Sequence, residues 1–322
     1  MSKKTAECVS PMHPDKICDY IADCILDAYL EGDKESRCAI EVMGGHGLVT
    51  INGEVTSKGN PDIEKIVKEL VGDNFKIISN IVLQSPQIAQ RVDTGGAGDQ
   101  GIMKGYATSE TVDFLPLEYV SARSLCEYIY KKHPYDGKTQ VTISDGRIDT
   151  IVASFQNVSK EILHGLVLDW FDEYNLQLQN TLPLNIFVNP AGDWNQGGFD
   201  ADTGLSGRKL IIDNYGPEIT IGGGSFSGKD YTKVDRSGAY MARKIAVDLL
   251  KKHNAKEVYT KLAYAIGQPE PVMAVAVIDG VESEISGYDL TPRGIYKHLK
   301  LDEVLFKNTC NWGHFGRGFS WN

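Results

Sequence analysis

Gly222-Gly223-Gly224-Ser225-Phe226-Ser227-Gly228-Lys229-Asp230-Tyr231-Thr232-Lys233-Val234-Asp235-Arg236 decides the fold class, because it imitates a nucleotide-binding loop and then departs from one. Consecutive glycines let the backbone take positive φ and turn amide N–H groups toward anionic oxygens. Gly223-x-x-x-x-Gly228-Lys229 has Walker A spacing. Asp230, however, stands where a Ser or Thr would ligate Mg²⁺, and a carboxylate there repels phosphate unless a metal lies between them. The segment Tyr215 to Thr220 carries Pro217 and reads as a poor buried strand. An ordinary P-loop fold is therefore disfavoured, and a solvated surface loop is the plain alternative. Asp235 opens an apolar-periodic helix (Ala239, Ala242, Ile245, Ala246, Leu249, Leu250), so a helix N-terminus joins Lys229, Lys233 and Arg236 in facing an anion.

Outward from this loop the same unit recurs along the chain. Residues 15 to 31 read as a helix, 38 to 56 as a strand pair turning at Gly44-Gly45, and 61 to 70 as a helix. The order returns at 117–132, 139–155 and 159–173, and again at 235–253, 257–278 and 292–299. The pattern predicts an α+β protein of three similar domains, each an antiparallel sheet with helices on one face. The boundaries fall at 1–94, 95–195 and 196–322, near the glycine-rich stretches 95–101 and 191–207. One large mixed α/β domain is the alternative, set against strands that come in hairpins. Leu210 to Asp213 reads as a strand.

With 322 residues and 42% hydrophobic content the chain can bury substantial cores. A net charge of -10 argues against a nucleic-acid backbone or an anionic membrane surface as partner. Arg208, Lys209, Lys229, Lys233 and Arg236 stand out against that acidity as a cluster suited to a small polyanion. Met1-Ser2-Lys3-Lys4 leads into no apolar signal region, no stretch approaches a membrane span, and the six cysteines form no C-x-x-C pair. These features read as a cytoplasmic protein with reduced thiols.

Further stretches carry chemistry. In His13-Pro14-Asp15-Lys16, Pro14 suits a helix entry and holds an imidazole and a carboxylate on one stiff turn. Asp15 offers the oxygen ligand that Mg²⁺ prefers, and an N-cap is its bland alternative. Gln84 to Gly101 is a polar run ending in glycines around Asp99, suited to a closing lid or a linker. Asp136-Gly137-Lys138 stands at a hairpin mouth. Asp193-Trp194 and Asp202 precede Gly204-Leu205-Ser206-Gly207-Arg208-Lys209, offering a ring to stack on a purine, a carboxylate for ribose and cations for phosphate. A buried core Trp is the alternative for Trp194. Together these groups describe a site for a nucleoside polyphosphate with divalent metal.

His13-Pro14-Asp15-Lys16, Gly96-Ala97-Gly98-Asp99-Gln100-Gly101, Gly204 to Lys209, Gly222 to Asp235 and Gly313-His314-Phe315-Gly316-Arg317 stand in the order found in S-adenosylmethionine synthetases, which the chain resembles over nearly its whole length. The resemblance implies three α+β domains about a pseudo-threefold axis, and homodimers or dimers of dimers with active sites between subunits. It implies adenosyl transfer from ATP to L-methionine, then hydrolysis of tripolyphosphate to pyrophosphate and phosphate, with two Mg²⁺ per site and K⁺. By matching position, His13, Lys138, Arg208, Lys229 and Asp99 are implied as catalytic. His13, Asp136, Lys138, Asp193, Trp194, Asp202, Arg208, Lys209, Ser225 and Lys229 are implied to bind ATP. Glu54, Gln84, Asp202 and Lys233 are implied for methionine, Asp15 and Asp235 for Mg²⁺, and Glu41 for K⁺. Met12 stands where the family usually has Gly, and Trp194 where many members have Phe. A phosphotransferase using the same triphosphate site, and a silent nucleotide-binding regulator, are the competing readings.

Overall fold

The computed structural model describes residues 3–85, 95–178 and 185–322, and side chains are left aside for 175–178. The first unit opens with helix α1, Pro14–Gly32, which starts because His13 takes an extended N-cap conformation and its side chain accepts from the Asp15 amide. Pro14 fills the first turn, where a missing N–H costs nothing. The helix buries Ile21, Ile25 and Leu26 completely, and each contributes about 1.5–3 kcal/mol. They face the alternate side chains Cys38, Ile40, Val42, Val49 and Ile51 of the hairpin β2 (Arg37–Gly45) and β3 (Leu48–Thr56). Helix α2, Ile63–Val71, leads to β4, Lys76–Leu83.

The recurring unit returns as Leu117–Lys132, the hairpin β6 (Gly137–Ser144) and β7 (Arg147–Phe155), and Lys160–Leu178. It returns again as Val234–His253, β10 (Glu257–Tyr264) with β11 (Met273–Ile278), and Pro292–His298. Two edge strands run parallel to their neighbours instead of antiparallel: β4 beside β3, and β8 (Asn185–Val188) beside β7.

The sheets trade strands in a cycle. β1, Lys3–Val9, pairs with β6, Lys3 opposite Ser144. β5, Gly101–Thr108, pairs with β10, Gly101 opposite Tyr264. β9, Gly204–Leu205, pairs with β2, Leu205 opposite Met43. The strand orders are β1-β6-β7-β8, β4-β3-β2-β9, and β12-β11-β10-β5, with β12 at Val281–Glu284. The periodicity of the hairpins carries no signal for these donated strands, because their partners are distant in sequence.

Leu210–Asp213 is a short α-helix, which corrects the strand expected there. Its apolar run does not face a sheet: Ile211 is 45% exposed, while Asp213 turns inward to the ammonium of Lys16. Of the lid expected from Gln84 to Gly98, residues 86–94 lie outside the described residues. Gly96–Gly98 follows the C-terminal unit, with the Ala97 amide donating to Gln268 O and the Gly98 amide to Thr232 O.

Candidate active site

One edge of β2 belongs to β3, and the other organises the site. At its far end Met43 and Gly44 pair with Leu205 and Gly204, and the Ser206 amide donates to Val42 O at 2.9 Å. Two residues back, the Ile40 amide donates to Gly228 O at 3.1 Å and the Cys38 amide to Asp230 Oδ1 at 2.7 Å. The segments Gly204–Lys209 and Gly222–Asp235 therefore lie end to end along a single strand. Between them Glu41 reaches out, its Oε2 accepting from Ser206 Oγ at 2.5 Å. The segments touch: a Cβ at Gly207, φ +73°, would stand 2.5 Å from Ser225 Cβ.

Helix α1 carries an aspartate at every fourth position, 15, 19, 23 and 27, and holds both segments through the first three. Such a row repels itself in an isolated helix, so each member requires a partner. Asp15 accepts from the Leu205 amide at 2.9 Å, from Arg208 Nε at 2.9 Å and from the Lys209 ammonium. Burial opposes its ionisation, yet Lys209, the Leu205 amide and Arg208 together hold its carboxyl below the usual range. Asp19 accepts from the Gly207 amide at 2.8 Å and pairs with Lys16 at 3.1 Å. Asp23 accepts from the Gly228 amide at 2.9 Å and from Arg236. Asp27 accepts the amides of Phe306 and Lys307 at 2.8 and 3.0 Å.

Burial drives the Asp27 carboxyl up to about 6, against those two amides. Between the ordinary 3.8 and that value, the folded protein keeps a proton that the unfolded chain has released. The contribution of this group to stability therefore falls as pH rises through that interval. Asp27→Asn abolishes the titration, so the melting-temperature advantage of wild type over the variant shrinks as pH is raised from about 4 to about 7. A constant gap across that range contradicts the assignment. Asp27 also lines a cavity of about 580 Å³ with Tyr20, Leu70 and Phe306, which gathers none of the chemistry-bearing residues expected from the sequence.

His13 is buried beside Asp15, and its Nδ1 accepts the Asp15 amide at 3.2 Å. Burial first, then Lys209 and Lys138, push its imidazole down to about 3. The ring is thus neutral at pH 7 with its proton on Nε2, as a single N–H donor. Lys138 reaches the same neighbourhood because β6 pairs with β1, setting it opposite Val9 shortly before the His13 turn. Asp136 Oδ2 accepts the Gly198 amide at 2.9 Å, and burial raises its carboxyl.

In the glycine-rich loop, Asp235 accepts the Gly224 amide at 2.6 Å and pairs with Lys229 at 3.0 Å. Among the described residues Ser225 Oγ and Gln84 Oε1 are buried without a hydrogen-bond partner, and each is suited to a ligand.

Other expected residues stand apart in this single chain. Asp193 Oδ1 accepts from Asn189 at 3.1 Å, Asp99 Oδ1 from the Gln100 amide at 2.8 Å, and Asp202 Oδ1 from the Thr203 amide at 2.8 Å. Trp194 is half-buried against Gly197, and Glu54 is exposed on β3. Lys233 is locked at 2.6 Å to Asp230. Asp230 is a structural residue, not a source of phosphate repulsion: it also accepts the Thr232 amide and hydroxyl, and so ties the loop to β2.

Family models described as the N-terminal, central and C-terminal domains of S-adenosylmethionine synthetase match residues 2–86, 94–194 and 196–322. The chain belongs to the S-adenosylmethionine synthetase family. An S-adenosylmethionine synthase of Mycoplasmopsis synoviae (strain 53) is 39% identical over 368 residues, spanning 98% of this chain and 94% of the relative. That of Mycoplasmopsis pulmonis (strain UAB CTIP) is 40% identical over 353 residues, spanning 97% and 93%. A solved structure described as an unusual S-adenosylmethionine synthetase from Campylobacter jejuni superposes with a TM-score of 0.89 at 33% identity, covering 100% of this chain and 96% of the other. Against this family background, the residues that sequence reasoning passed over are Lys16, Asp19, Asp23 and Asp213. The four-residue spacing of acids along α1 is the signal that would have found two of them, Asp19 and Asp23.

Proposed function

We infer that the chain forms S-adenosylmethionine from ATP and L-methionine and then cleaves the tripolyphosphate to pyrophosphate and phosphate. The observation that carries this reading is the pair of cation-bearing segments, Gly204–Lys209 and Gly222–Asp235, aligned on one edge of β2 beside His13. Methionine's thioether is already nucleophilic, so attack on the ribose C5′ calls for no general base. The demand lies on the leaving triphosphate, and Lys229, Arg208, Lys209, Lys138 and the Nε2–H of His13 supply donors for its growing charge. Ser225, Asp136 and Asp193 belong to the nucleotide contacts, with Trp194 stacking on adenine and Asp202 accepting from the ribose hydroxyls. Glu54, Gln84, Asp202 and Lys233 belong to methionine, and Asp99 to the sulfonium that forms.

Mg²⁺ suits Asp15 and Asp235, because it binds through one or two carboxylates and completes its shell with substrate phosphate oxygens and water. Among the described residues no cluster of three or more His, Cys, Asp or Glu is placed to hold a metal ion. When bound, Mg²⁺ neutralises phosphate charge. Glu41 is the residue suited to K⁺.

The proposed assembly is a homodimer or a dimer of dimers with the sites between subunits. Supporting it, the face of the β2 sheet away from α1 is uncovered among the described residues and bears Leu205, Met43, Thr50 and Ile78 in one cross-strand row. Leu205, Met43 and Ile78 are 40%, 45% and 42% exposed, and Glu41 and Glu54 share that face. Ile78→Glu is expected to yield monomers by light scattering and to lose activity, since it sets a charge into that contact. A fully assembled, active variant argues for another interface. The chain divides at 94/95 and 195/196 on this reading, supported by the family matches. We assign it to the cytoplasm, on its six free cysteines; among the described residues no helix is long and apolar enough to cross a membrane.

The test is purified protein with ATP, methionine, Mg²⁺ and K⁺, assayed for S-adenosylmethionine and for phosphate release. Folded protein that makes neither overturns the reading. A phosphorylated acceptor without S-adenosylmethionine would mark a phosphotransferase.

A further inference from the structure

Gly313-His314-Phe315-Gly316-Arg317 lies beneath the site, with His314 at its centre. The ring of His314 is buried and packs edge-on against Phe226 of the glycine-rich loop, with centroids 4.9 Å apart. Its Nδ1 stands 2.8 Å from the Tyr240 hydroxyl, which accepts from Arg236 Nε at 3.1 Å. Thr309 Oγ1, 3.4 Å from the same hydroxyl, already accepts from Arg236 Nη2 and donates to Phe306 O. Of the two acceptors within reach of the Tyr240 proton, His314 Nδ1 at 2.8 Å is nearer than Thr309 Oγ1 at 3.4 Å and takes it as a neutral imidazole. Burial, then the nearby Arg236 charge, keep that imidazole well below its ordinary value. Arg236 grips Asp23 at 2.7 and 2.8 Å, and Asp23 holds the Gly228 amide beside Lys229.

The backbone of the same residue reaches the other segment. The His314 amide donates to Asp213 O at 2.9 Å, and the Asp213 carboxylate takes Lys16 at 2.5 Å. Lys16 pairs with Asp19, which holds the Gly207 amide, and the Asp213 amide donates to Lys209 O. Trp321 secures this junction by donating its indole N–H to His314 O at 2.8 Å and stacking on Tyr240 at 4.0 Å.

We propose that His314 is a positioning residue for the reaction: its ring, through Tyr240, Arg236 and Asp23, and its amide, through Asp213, Lys16 and Asp19, together set the spacing of the two cationic segments. The role in catalysis rests on the reading that those segments bind the triphosphate; the coupling itself does not.

Three variants test it. His314→Leu keeps bulk without an acceptor, His314→Asn returns an acceptor near the Nδ1 position, and Tyr240→Phe removes the intervening hydroxyl while keeping its ring on Trp321. In hydrogen exchange read by mass spectrometry, the Leu and Phe variants speed exchange in peptides covering 222–229 by about tenfold, while 204–209, held through the unaltered His314 amide, changes by less than about twofold, and Asn restores 222–229. In steady-state kinetics they lower kcat about tenfold with KM for methionine within about twofold, and the double variant is no worse than either single one. Unchanged exchange at 222–229 overturns the proposal. So does an Asn variant as impaired as Leu, which would mean that ring volume alone matters, or full additivity in the double variant. Where His314→Leu fails to fold, Tyr240→Phe carries the same comparison. Wild type that makes no S-adenosylmethionine while the variants loosen 222–229 would leave the coupling standing and remove the assigned reaction.

Discussion

Lys229→Ala lowers kcat by about 10²–10³-fold, while KM for methionine moves by less than about threefold. Lys229 sits on the segment fastened to β2, its side chain only 15% exposed and its ammonium 3.0 Å from Asp235. A fixed charge in such a place acts most strongly when the triphosphate carries its departing charge, so its removal is felt in turnover more than in substrate capture. The alanine variant also leaves the Asp235 carboxylate without its ammonium, facing incoming phosphate oxygens. Steady-state kinetics with both substrates varied provide the measurement. Turnover within about threefold of wild type would remove Lys229 from the transition state.

Asp23→Ala acts on stability instead. Arg236 and Asp23 are 1% and 0% exposed as side chains, and the pair is joined by two short bonds. Deleting the carboxylate strands a guanidinium in the core and orphans the Gly228 amide, at an expected loss of about 3–5 kcal/mol. Set against a total of about 5–15 kcal/mol for an ordinary domain, that is a large share. Thermal unfolding should shift down by roughly 10 °C, or the variant should fail to accumulate folded protein. A shift under about 2 °C would show that Arg236 finds another partner.

The helices and hairpins were legible because their signals are local. The apolar spacing from Ile17 to Tyr29 anticipated α1, and alternation in 139–155 anticipated the β6 and β7 hairpin. Leu210–Asp213 was misread because a run of aliphatic residues satisfies either structure, and a distant lysine, Lys16, decided the outcome. The donated strands β1, β5 and β9 were invisible for the same reason, as each is defined by a partner far along the chain. In the site, motif spacing found the cationic residues of both loops. Lys233, implied for methionine by the family resemblance, pairs with Asp230 in this single chain. What no motif conveyed was the supporting layer, in which Asp19, Asp23 and Asp213 touch the loops only through backbone amides and buried cations. Ser225 and Gln84, expected as ligand contacts, do present buried oxygens without partners.

The cyclic exchange of strands bears on how the polypeptide is made. As synthesis proceeds, Lys3–Val9 waits for Gly137–Ser144, Arg37–Gly45 waits for Gly204–Leu205, and Gly101–Thr108 waits for Glu257–Tyr264. Every sheet keeps a raw edge until a later length of chain has left the ribosome, and the last is not closed until Glu257–Tyr264 has emerged. A fragment cut at either glycine-rich joint would hold one strand with no berth and one berth with no strand. The molecule is a ring of mutual dependence, finished all at once or not at all.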